Sequence, residues 1–122
     1  MNIDMNALLL QLIIQAPPLL FALTMHELAH GYIAYRLGDP TAKEAGRLTM
    51  NPLKHLDPLG VIAFIIMKIG WAKPVPVDPR YFRNPRKDML TVALAGPAAN
   101  VLLAIASAVL VQLLVRFQFL PV

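Results

Sequence analysis

The chain of 122 residues is long enough for one domain and too short for two of ordinary size. Its apolar fraction of 57% exceeds that of a soluble globular domain and its charged fraction of 15% falls short, so the composition points to lipid. The net charge of +4 sits among prolines and apolar runs rather than on a polar face, which argues against nucleic acid and for an anionic membrane surface; with no cysteine, any metal must be held by His, Asp, Glu or Asn.

From Met5 to Tyr35 the only formal charge is Glu27. As unbroken helix this stretch would run roughly 46 Å at 1.5 Å per residue, more than one bilayer crossing. Pro17 and Pro18 interrupt it, predicting a short segment over about 5–16 and a second helix over about 18–37, with a single kinked helix as the alternative. The start carries Asp4 rather than basic residues and no small-residue cleavage site follows, so the segment is expected to stay in the mature chain. Gly38, Asp39 and Pro40 supply the stop.

The second helix contains HELAH. In a helix His26 and His30 fall on one face a turn apart, where two imidazoles can share a metal ion with Glu27 beside it. Neutral imidazoles with an oxygen ligand suit zinc with an open position for water, and Glu27 is then placed to move a proton between that water and a leaving amine. Two hydrogen-bonded helix histidines are the plain alternative, but ionisable groups in a charge-free apolar helix are rare and usually functional. Catalytic zinc takes three protein ligands, and the loop residues Asp39, His55, Asp57 and Asp78 are the remaining candidates within the chain. Each also has an ordinary use as a turn or capping residue.

Residues 39–88 hold seven of the eleven prolines, which predicts turns and short strands. Arg47 to Met50 and Ala72 to Val77 read as extended pieces, the second confined by its prolines to an edge that could pair with an unwound substrate strand or simply stiffen the loop. Leu59 to Met67 is apolar but too short to cross a hydrocarbon core of about 30 Å, and is expected to be re-entrant or interfacial. Trp71, Tyr81 and Phe82 beside basic residues suit the lipid interface. Ten of the eleven Lys and Arg residues lie between Arg36 and Lys87, which places the 38–88 connection on the cytoplasmic side.

Met89 to Val115 carries no formal charge and reads as a transmembrane helix, with small residues Ala95, Gly96, Ala98 and Ala99 allowing close helix approach. The fold class expected is therefore an all-α membrane protein with polytopic helices and a proline-rich, partly extended connection.

HELAH in an apolar helix, GRLTMNPLKHLDPLG, GWAKPVPVDPRYFRNPRKD, and LAGPAAN opening a hydrophobic helix follow in this order over residues 8–114. Together they resemble the site-2 protease family of intramembrane zinc metalloproteases, in particular its compact prokaryotic members. The resemblance implies a plasma-membrane endopeptidase that cleaves transmembrane protein substrates in or near their spans, with His26 and His30 as zinc ligands and Glu27 as the catalytic acid/base. It matches Gly96, Pro97 and Asn100 to the family's second motif, where Asn100 would support the substrate or the transition state, or serve as glue between helices. In this family the third ligand is an aspartate in an L-D-G block on a further helix, which this sequence lacks. The resemblance thus implies the N-terminal part of a member, one membrane-embedded metalloprotease-like domain over residues 1–122. A homo-oligomer or a C-terminal segment would complete it, and a catalytically silent module that binds partner helices is the alternative.

Overall fold

A computed structural model describes residues 4–122. It contains helix α1 (Met5–Arg36), a short helix α2 (Thr41–Glu44), a 3₁₀ turn (Pro52–Lys54), helix α3 (Pro58–Met67), a second 3₁₀ turn (Pro79–Tyr81) and helix α4 (Pro85–Arg116).

α1 begins where the Asp4 carboxylate accepts from the backbone N–H groups of Asn6 and Ala7, at 3.1 and 3.3 Å. The break expected at Pro17 and Pro18 does not occur, and the alternative of one long helix holds. Each proline removes a helix hydrogen bond, but where no water is at hand every other backbone group is best satisfied inside the helix, so the chain continues through them. The helix closes at Gly38, whose φ of +106° reverses the backbone, and the Asp39 N–H returns to the Ala34 carbonyl at 2.9 Å. α4 starts four residues earlier than its charge-free stretch. Asn84 accepts from the Lys87 N–H at 3.2 Å, its own N–H donates to Asp88, and Pro85 occupies the first turn.

α1 and α4 pack along one another and enclose a small core of Ala34, Val92 and Phe82, flanked by Ile33, Leu37 and Val77. Phe82, expected at a lipid interface, is buried here, because the turn at Pro79–Tyr81 folds it under the α1–α4 seam; Trp71 and Tyr81 remain exposed. Outside the seam the large apolar side chains face outward, among them Ile13 and Ile14 on α1, Ile65 and Ile66 on α3, and Leu102 and Ile105 on α4. A soluble domain buries such residues. Here both α1 and α4 are long and apolar enough to cross a membrane.

The connection forms no strand among the described residues. The expected extended pieces meet only in an isolated antiparallel bridge between Leu56 and Ala72, supported by the Lys73 N–H on the His55 carbonyl at 2.9 Å. Pro74 and Pro76 remove the donors a longer ladder would need. α3 leaves and returns through this bridge as a loop. Its Asp57 cap accepts from the Leu59 N–H at 3.0 Å and from the Trp71 indole at 2.9 Å. Gly60 lies directly against the Trp71 backbone, and a Cβ there would have no room.

One buried pair fixes the rest of the connection. The Arg47 guanidinium donates to the carbonyls of Lys73 (2.6 Å) and Pro74 (3.0 Å) and to His55 Nδ1 (3.2 Å), while His55 Nε2 donates to the Thr49 carbonyl (2.9 Å). Burial lowers the pKa of Arg47 from its ordinary value, and the Glu27 carboxylate acts against that shift. This clamp holds residues 72–77 across the face of α1 that carries HELAH.

Candidate metal centre

His26 and His30 project from successive turns of α1 toward α4. Their rings meet edge to face with centroids 4.6 Å apart, and the two Nε2 atoms are 3.0 Å apart. On α4 the facing residues also recur every fourth position: Val92, Gly96 and Asn100. The Val92 carbonyl stands 2.7 Å from His30 Nδ1, and Asn100 Nδ2 stands 2.9 Å from His26 Nδ1. Both imidazoles are therefore tethered through Nδ1 and converge through Nε2.

Gly96 occupies the middle of this face. A Cβ at that position would fall 2.6 Å from both His26 Nε2 and His30 Cε1 and nearer still to His30 Nε2. The missing side chain is what leaves open the space between the converging nitrogens. Sequence reasoning read Gly96 as a helix-packing residue and missed this role. The available signal was the four-residue spacing of Gly96 and Asn100, which copies that of His26 and His30.

A cleft of about 640 Å³ opens onto the pair. His26, Glu27, His30 and Asn100 line it together with Ala72, Pro74, Val75 and Val77 from the clamped segment. His26, Glu27, His30 and Asn100 are all half-buried, shielded from bulk water without being sealed.

The residues present fit a divalent metal as two of its ligands. A tetrahedral ion with nitrogens at about 2.0–2.1 Å separates them by roughly 3.3–3.4 Å, close to the spacing found here. Asn100 Oδ1 is buried without a hydrogen-bond partner beside the same pair. Among the described residues no group of three His, Cys, Asp or Glu side chains comes together. The four loop candidates for a third ligand are each engaged elsewhere. Asp39 accepts from Thr41 and from the Asp78 N–H at 2.7 Å, and His55 is locked to Arg47. Asp57 caps α3, and Asp78 pairs with Arg80 at 2.8 Å. Arg80 holds the Asp78 carboxyl below its ordinary pKa by hydrogen bonding.

No family model matches this sequence, and no solved structure matches it. Among curated proteins it is 54% identical over 86 residues to YwhC of Bacillus subtilis, a protein carrying a provisional zinc metalloprotease name; the match covers 70% of this chain and 39% of YwhC. It is 38% identical over 92 residues to Rip2 of Mycolicibacterium smegmatis, similarly named, covering 70% of this chain and 35% of Rip2. Rip2 of Mycobacterium tuberculosis is 33% identical over 91 residues, with 34% of that protein covered. The chain thus spans between a third and two-fifths of the length of these relatives.

Proposed function

Because this chain is a site-2-protease-like family member, related to YwhC and Rip2, we propose that it carries the HExxH half of an intramembrane zinc metalloendopeptidase. The observation that carries the reading is the convergence of His26 Nε2 and His30 Nε2 onto space kept open by Gly96.

In this reading His26 and His30 hold zinc, which when bound supplies Lewis acidity for attack on a peptide carbonyl. Glu27 takes the proton from the attacking water and returns it to the leaving amine. It lines the cleft with both imidazoles, as that exchange requires. Beyond the Arg47 contacts on Lys73 and Pro74, the backbone of Val75 to Val77 runs along the cleft, where an unwound stretch of a transmembrane protein substrate can lie. The Val75 and Val77 side chains give that stretch an apolar wall.

We place the protein in a prokaryotic plasma membrane, with α1 and α4 crossing and residues 38–88 on the cytoplasmic side. The outward apolar side chains of both helices and the crowding of basic residues into the connection support this. The third ligand comes from a further segment or a second copy. A second reading, a silent module that binds partner helices, draws on the lack of a three-residue cluster among the described residues.

Zinc analysis of the purified chain, wild type against His26→Ala, separates the two. Stoichiometric zinc lost in the variant supports the metalloprotease reading; equal zinc in both supports the silent module. Cleavage of a membrane substrate by a Glu27→Gln chain supplied with its complementing segment would remove Glu27 from its role.

A further inference from the structure

We infer that Asn100 is a positioning residue whose side-chain amide turns over when the imidazole pair takes up a metal, and so sets which nitrogen of His26 carries the proton. The inference rests on the zinc reading above and adds a residue that acts on a ligand rather than on substrate.

The argument is a count of protons. His30 Nδ1 faces the Val92 carbonyl, which only accepts, so that nitrogen carries hydrogen and the neutral ring leaves Nε2 bare. The contact of 3.0 Å between the two Nε2 atoms needs one proton, which then belongs to His26. A neutral His26 with hydrogen on Nε2 has a bare Nδ1, and only a donor suits it. Asn100 Nδ2 is that donor, at 2.9 Å. Every polar atom of the trio is then matched except one. Asn100 Oδ1 is buried and has no partner.

Metal uptake requires both Nε2 atoms bare. His30 already meets the condition. His26 meets it when water removes the Nε2 proton and another water protonates Nδ1, which leaves the ring neutral. The new Nδ1–H needs an acceptor at the place now held by Nδ2. A half-turn of the amide supplies Oδ1 there, so the unpartnered atom gains its hydrogen bond in the metal-holding state. Asn100 also borders a second groove of about 310 Å³ between α1 and α4, which gives the amide room to turn. Two states of one amide thus match two tautomers of one ligand.

The test uses the full chain in detergent micelles with ¹⁵N-labelled histidine, followed by ring nitrogen shifts and by titration with zinc alone. The expected wild-type result is His26 protonated on Nε2 without metal and on Nδ1 with zinc, while His30 stays protonated on Nδ1 in both. Asn100→Leu should lower zinc affinity by about 10- to 100-fold with helix content unchanged. Asn100→Asp, which accepts and does not donate, should keep affinity within a few-fold and hold His26 protonated on Nδ1 before zinc is added. Equal affinity and equal tautomer populations in wild type and Asn100→Leu would overturn the inference, as would an Asp variant that loses as much affinity as Leu. A wild type that binds zinc no better than His26→Ala sinks the metal reading itself, a result distinct from either.

Discussion

At the scale of single residues, the shape of the site depends on what two positions omit or bring together. Gly96 matters for its lack of a side chain. Gly96→Ala sets a methyl group against both Nε2 atoms, and because α4 backs that methyl the rings must part. Zinc affinity is expected to fall at least about tenfold while far-ultraviolet circular dichroism stays unchanged, read by titration of the two proteins side by side. Arg47 matters for what it gathers. Arg47→Leu leaves the buried His55 Nδ1 without a donor, at about 1–3 kcal/mol, and frees the Lys73 and Pro74 carbonyls. Limited proteolysis should then cut within 72–77 under conditions that leave the wild type intact. The shared face of His26 and His30 was legible in the sequence, since helical spacing alone puts 26 and 30 together, and Asn100 does lie beside them. The Arg47–His55 clamp was not, because a guanidinium reaching carbonyls 26 and 27 positions away leaves no local pattern.

At the scale of elements, Leu59 to Met67 was legible as an apolar stretch but not as the helix α3 that its Asp57 cap and Pro58 start, whereas α4 followed from its charge-free apolar run. The continuity of α1 did not. A proline pair is a stop signal in water, and its weight changes once solvent is excluded from the backbone. The short strands failed for the opposite reason, since extended backbone without donors makes no ladder. Asp57→Ala should loosen α3 by about 1 kcal/mol through its cap and release the Trp71 indole, which a fall in tryptophan fluorescence anisotropy would report. The turn at Pro79–Tyr81 carries a pH dependence. The folded Asp78 pKa is lowered by Arg80, so its contribution is fully present above the unfolded aspartate value and is lost as pH falls through the folded one. Acid titration should show that step in the wild type and not in Asp78→Asn.

At the scale of the whole molecule, few apolar side chains lie inside and many lie outside, the arrangement expected when lipid rather than water is the surrounding medium. Composition alone foretold this. The pairing of α1 with α4 turn by turn was beyond it, because neither helix marks in its own sequence which turn of the other it meets. The absence of cysteine permits a direct test of orientation. Single cysteines at Lys54 and Arg83, both exposed, should react with a membrane-impermeant maleimide in inverted vesicles and stay unlabelled in intact cells. Labelling in intact cells would reverse the proposed topology.

The void opposite the imidazoles also bears on how relatives are sorted. On the proposed zinc reading, one extra methyl at position 96 would weaken metal binding while the HELAH signature remained letter-perfect, so a genome survey keyed to that pentapeptide would not separate strong binders from weak ones. Inspecting the helix across from the signature, at the residue four before the asparagine, would tell the two populations apart.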